Sequence, residues 1–160
     1  MARFVQNVDV RPWWQKKRLA IWRLLRMALE ESSSPRELAL SVGLGALVGS
    51  SPLLGLHSFV ALGAASALRL NRLAAFVGSN VSFGPLIALL AWAELTIGCR
   101  FLGVPPLRGT DTLAVARDNL VAWWLGYAIV GPIVAVAAAA VAGGAARAYA
   151  ARRSSSVQRE

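Results

Sequence analysis

The sequence predicts an all-α fold: an integral membrane helical bundle with broken or re-entrant helices and an N-terminal amphipathic interfacial helix. Three observations predict it. Hydrophobic residues make up 56% of the 160, but charge is excluded from long stretches. No ionisable side chain except His57 occurs from Leu38 to Leu68, and another uncharged run extends from Asn119 to Ala146. Basic residues flank these runs, and serine, glycine and proline interrupt the apolar segments near their centres. A soluble domain this small would need a solvated face on nearly every helix, so charge-free runs of this length argue for lipid.

Taken in order, residues 1–34 form a basic arm followed by an amphipathic helix. From Trp13 to Glu30, Trp14, Ile21, Trp22, Leu25, Ala28 and Leu29 recur at helical spacing, with Lys16, Arg23, Arg26 and Glu30 on other faces. Tryptophan prefers the headgroup region and basic side chains attract anionic lipid, so the segment reads as a helix lying on the membrane. The competing reading packs it against the rest of the protein. Ser32-Ser33-Ser34-Pro35-Arg36-Glu37 then supplies a serine N-cap, a proline at the first helical position and an acidic first turn.

The membrane domain is expected over residues 35–146. Its first part, 35–72, is a broken, re-entrant helical hairpin. As one straight helix, Leu38 to Leu68 would reach about 46 Å against a hydrocarbon core of roughly 30 Å, and Ser50-Ser51-Pro52-Leu53-Leu54-Gly55 is the obvious place to turn it. Arg36 precedes the segment, and Arg69 and Arg72 follow it. If both ends obey the positive-inside bias, the halves enter and leave on one side; a kinked, tilted span is the alternative. The second part, 73–104, is a broken spanning segment interrupted at Gly78-Ser79-Asn80-Val81-Ser82-Phe83-Gly84-Pro85. A polar loop, 105–118, follows, and 119–146 is a spanning helix that Pro132 is expected to kink. Residues 147–160, with Arg147, Arg152 and Arg153, form a basic cytoplasmic tail. A hairpin plus two spans puts both basic termini in the cytoplasm. Two segments of similar length, each broken near its centre, suggest an approximate internal repeat, although without convincing residue-level self-similarity.

The net charge of +9 would suit nucleic acid if it striped a polar fold, but here it flanks apolar runs. The lone Cys99 reads as a packing residue and permits no internal disulfide. Residues 1–30 are charged throughout and show no cleavable signal peptide, so the first apolar segment is expected to be retained. There is no nucleophile elbow, phosphate-binding glycine loop or metal-ligand spacing. The expectation is a non-enzyme with no metal and no cofactor.

Backbone groups freed by a break at membrane depth must be satisfied by protein, or else they line a site. Ser50, Ser51, Pro52 and Gly55 at the first break, and Ser79, Asn80, Ser82 and Pro85 at the second, are therefore candidate substrate-binding residues. The competing reading is that they satisfy one another as the breaks dock. His57, just past the first break, is a candidate as an intramembrane ionisable group, or an imidazole bonded to a backbone carbonyl. Arg69, Asn71 and Arg72 form a basic turn that could hold a lipid phosphate or serve only to set topology. Glu94 is expected either to pair with Arg100 or Arg69 or to be solvated near the outer boundary.

Several of these segments resemble the domain-of-unknown-function 2062 family of bacterial membrane proteins. They are Ser34-Pro35 with Ala39-Leu40-Ser41-Val42-Gly43-Leu44-Gly45, Gly49-Ser50-Ser51-Pro52-Leu53-Leu54-Gly55-Leu56-His57, Leu68-Arg69-Leu70-Asn71-Arg72, and Gly78-Ser79-Asn80-Val81-Ser82-Phe83-Gly84-Pro85-Leu86-Ile87. The resemblance covers roughly residues 13 to 103 and departs at Gly84, where the family commonly carries proline. It implies a multi-pass protein of the bacterial inner membrane. Relatives that look like fusions to glycosyltransferases imply a link with lipid-carried sugars or cell-envelope assembly.

The functional expectation is a protein that binds, positions or transports a lipid-like or anionic substrate at the paired breaks. The alternatives are a scaffolding subunit that recruits an envelope glycosyltransferase and a small ion or solute transporter. Expected partners are membrane lipids, with an envelope-assembly enzyme and a second copy of the chain as further candidates, and no nucleic acid.

Overall fold

The computed structural model describes Met27 and residues 34–53, 55–80, 85–104 and 119–157. The interfacial helix proposed for 13–30 (apart from Met27, which is helical and exposed), the middle of the second break including Ser82, and the 105–118 loop lie outside the described residues. Among the described residues there are five helices and no strands: α1 (Pro35–Gly49), α2 (His57–Ala67), α3 (Arg72–Ser79), α4 (Pro85–Leu102) and α5 (Leu120–Val157).

The α1 start follows from its sequence. Ser34 is extended, its Oγ accepts the Glu37 N–H at 3.1 Å, and Pro35 opens the helix where a missing N–H costs nothing. At the other end, Pro52 cannot continue the helix, and Gly55 takes a left-handed φ of 81°. The chain then reverses. Had the helix run straight, Ser41 and Asn71 would stand about 45 Å apart; instead the Asn71 N–H donates to Ser41 Oγ at 3.0 Å. The α1–break–α2 unit therefore folds back on itself.

A second reversal at 68–71 sets α3 alongside α1, running the same way. Gly45 abuts Ala75 and Ser79, Gly49 abuts Ser79, and Gly78 abuts Val42, all at backbone contact. A side chain on any of these glycines would strike main chain, so the small residues set how closely the helices approach. α5 runs antiparallel to α1, since Gly43 meets Ala139 and Gly143 meets Ala39. It also runs antiparallel to α4, where Gly98 meets Ala122 and Gly126 meets Glu94. The two sets of helices thus share α5 as a common strut. Their small apolar centres are Leu38, Val42, Ala74 and Ala146 on one side and Leu95 with Trp123 on the other.

α5 is continuous through Pro132 and extends to Val157. Residues 147–157 of the expected basic tail are helical and continue α5. One helix among the described residues, Leu120–Arg152 within α5, is long and apolar enough to cross a membrane. Only 11% of its most apolar window is buried, with Val121, Ile133, Val136 and Val141 outward. A core helix of a soluble domain would be mostly covered.

Candidate functional site

The structure sorts the sequence-predicted residues into two groups at opposite ends of α3, separated by eight residues of helix or about 12 Å. At one end the two breaks lie side by side, because Gly49 packs on Ser79. Their polar side chains are turned to their own helices. Ser50 Oγ donates to Leu47 O at 3.0 Å and Ser51 Oγ donates to Val48 O. Ser79 Oγ donates to Phe76 O at 2.9 Å, and Asn80 Nδ2 reaches the same carbonyl at 2.8 Å. The last carbonyls of a helix have no intrahelical partner, and these side chains supply one. Tyr127 from α5 completes the set, its hydroxyl donating to Leu47 O at 3.1 Å. Pro52 is buried, Gly55 is exposed, and His57 is half-buried at the first turn of α2. Pro85 begins α4.

The two capped ends are copies of one another. Shifted by 29 positions, Leu44-Gly45-Ala46-Leu47-Val48-Gly49-Ser50-Ser51 lies over Leu73-Ala74-Ala75-Phe76-Val77-Gly78-Ser79-Asn80, with Leu, Ala, Val, Gly and Ser repeated in place. The bonds correspond as well: Ser51 N to Val48 O at 3.2 Å matches Asn80 N to Val77 O at 3.1 Å. This corrects the reading that the repeat lacks residue-level similarity. The shift is visible in the sequence once the two Val-Gly-Ser triplets are aligned.

The other end holds the basic turn. α2 closes with Leu70 N bonded to Ala65 O at 2.8 Å and Arg69 N to Ser66 O at 3.2 Å, a Schellman-type closure whose left-handed position usually carries glycine. Here it carries Arg69 at φ 55°. Asn71 caps α3, with Oδ1 accepting the Ala74 N–H at 2.8 Å. Beneath it, buried Ser41 accepts the Asn71 N–H and donates to Glu37 O at 2.7 Å. Sequence reasoning passed over Ser41 as a site-positioning residue, and only its place as the single hydroxyl between Pro35 and Ser50 could have flagged it. Arg69 and Arg72 are exposed, and with Glu37, Ser66, Leu70 and Asn71 they line an open polar depression of about 470 Å³. Because α1 and α3 run parallel and α5 antiparallel, Arg36, Arg147 and Arg152 belong to this same end, whereas Arg100 ends α4 at the other.

Glu94 departs from both sequence expectations. It is 1% exposed, and Oε2 accepts the Trp123 indole N–H at 2.7 Å. Arg100 is exposed on the same helix, and Arg69 lies at the basic end. Nothing at sequence level could announce a partner 29 residues away across the α4–α5 contact.

A fold of helix breaks, small-residue seams and outward apolar faces with one basic end defines a class rather than an activity. A sequence model of the bacterial family described as "Uncharacterized protein conserved in bacteria (DUF2062)" matches residues 17–155, and the chain belongs to that family. The match carries the resemblance from the N-terminal half through α5. Neither the curated proteins nor the solved structures contain a match.

Proposed function

We propose that this is a multi-pass, non-enzymatic protein of the bacterial inner membrane that binds and positions a lipid-like or anionic molecule at the Arg69–Asn71–Arg72 turn. In this reading α1 and α2 form a re-entrant hairpin, α3 and α4 together cross, and α5 returns, leaving both termini cytoplasmic. The observation that carries it is the gathering of Arg36, Arg69, Arg72, Arg147 and Arg152 at one end of helices whose flanks are apolar. Positive residues mark the cytoplasmic side, and paired guanidinium groups are suited to phosphate oxygens. The site is placed at the turn and not at the breaks because Ser50, Ser51, Ser79 and Asn80 already spend their donors on helix-end carbonyls.

Two measurements test this. In a Cys99→Ala background, single cysteines at Ser34, Ser66 and Ser154 are expected to react from the cytoplasmic side and one at Thr110 from outside. Labelling of Ser66 from outside would mean that the first segment spans. Native mass spectrometry from nanodiscs of mixed phosphatidylglycerol and phosphatidylcholine should show retained anionic lipid, lost in Arg69→Ala/Arg72→Ala. Equal retention by the variant would remove the headgroup reading.

A further inference from the structure

We infer that Glu94 is a proton-exchange site within the α4–α5 pair, a role independent of the headgroup reading because it lies on other helices. The carboxyl is 1% exposed. One oxygen is fixed by Trp123 Nε1 at 2.7 Å, and the other, Oε1, is buried with no hydrogen-bond partner among the described residues. A buried carboxylate without a cation is among the most expensive arrangements in a protein interior, and more so within lipid. Among the described residues, the groups facing it do not offer a positive charge. α5 presents Trp123 and, within electrostatic reach, the Tyr127 hydroxyl. On α4 the nearest ionisable neighbours are buried Cys99 and exposed Arg100.

The immediate surroundings leave little room for a larger ligand. Gly126 meets the Glu94 backbone and Gly98 meets Ala122, so α4 and α5 are in main-chain contact beside the buried carboxyl. A proton is the ligand that removes the charge and needs no added volume. In the packed arrangement Glu94 holds that proton on Oε1, while Oε2 keeps the indole bond. Release requires α4 and α5 to part far enough for water to reach Oε1. Tyr127 ties this event to the breaks, because the same side chain donates to Leu47 O at the end of α1.

The test uses the full chain in vesicles and dicyclohexylcarbodiimide, a hydrophobic reagent that modifies protonated carboxyl groups in apolar surroundings, with the site read by peptide mass spectrometry. Glu94 should be modified, and the modified fraction should fall about tenfold for each pH unit beyond the titration midpoint, reversibly on reacidification. A water-soluble carbodiimide should modify Glu37 but spare Glu94. Three results would overturn the inference: no modification of Glu94 at any pH where the protein stays folded, modification indifferent to pH (a fixed structural acid), or equal reaction with the water-soluble reagent. Because the measurement is made on the unaltered chain, it does not depend on whether Glu94→Gln folds. Trp123→Phe, which frees Oε2, should shift the midpoint, and an unchanged midpoint would also count against the site.

Discussion

The α1–α3 and α4–α5 pairs are built on the same device and finished differently. Both use glycines at main-chain contact, Gly45, Gly49 and Gly78 in one, Gly98 and Gly126 in the other. In α1–α3 the buried polar groups are neutral and locally satisfied: Ser41, Asn71, Ser50 and Ser79 each have a bonded partner nearby. In α4–α5 the buried polar group is a carboxyl with one oxygen bonded and the other without a partner among the described residues. The first arrangement favours a single, rigid packing, because every alternative breaks bonds made by buried groups. The second stores an imbalance that a proton can settle, so its packing can respond to conditions.

That contrast can be broken most severely at the seams. Gly98→Leu or Gly126→Leu should separate α4 from α5, and Gly45→Leu should separate α1 from α3, each costing about 3 kcal/mol. Thermal melts in detergent read the loss, and similar melting for all three and the parent chain would mean the glycines do not set the contact. Next come the buried bonds. Trp123→Phe should cost about 2–3 kcal/mol because it orphans an acidic acceptor, whereas Ser41→Ala, which orphans a neutral N–H, should cost about 1–2. A reversed order would say that the carboxyl is not the more demanding group. Ser50→Ala and Ser79→Ala should each cost about 1 kcal/mol or less, and by similar amounts, if the two capped ends are equivalent. A large difference between them would dissolve the repeat. The last effect should be a gain: Arg69→Gly relieves a left-handed arginine and is expected to stabilise by about 1 kcal/mol while lowering retention of anionic lipid. The same Schellman-type closure ends α4, with Val104 N on Cys99 O at 3.0 Å, and there the left-handed residue is Gly103 at φ 67°. Stabilisation without loss of lipid would leave Arg69 without a role in binding.

Local features were legible in the sequence where one stretch of chain contains all the parts. Ser34, Pro35 and Glu37 announce the start of α1 because a cap needs only neighbours in sequence. The clusters Ser50-Ser51-Pro52 and Ser79-Asn80 mark where helices stop for the same reason. The fold-back had a weaker, global signal, the positions of Arg36 and Arg69, and the Ser41–Asn71 bond now fixes it. The residue-level match within the repeat is masked in the sequence because Phe76 and Asn80 replace Leu47 and Ser51. The partner of Glu94 and the left-handed backbone of Arg69 were out of reach, since one is set by packing between distant helices and the other contradicts the residue's own preference.

α5 has a mechanical consequence. At 38 residues it is about 57 Å long, and its packing partners on α1 end near Pro35, opposite Gly143. The final turns, from Arg147 to Val157, therefore extend helically about 15 Å past the start of α1. Anything joined there turns with α5 rather than swivelling on a tether. A fluorophore placed at Ser154 would report the rotation of the central helix directly, with the bundle itself as the fixed frame.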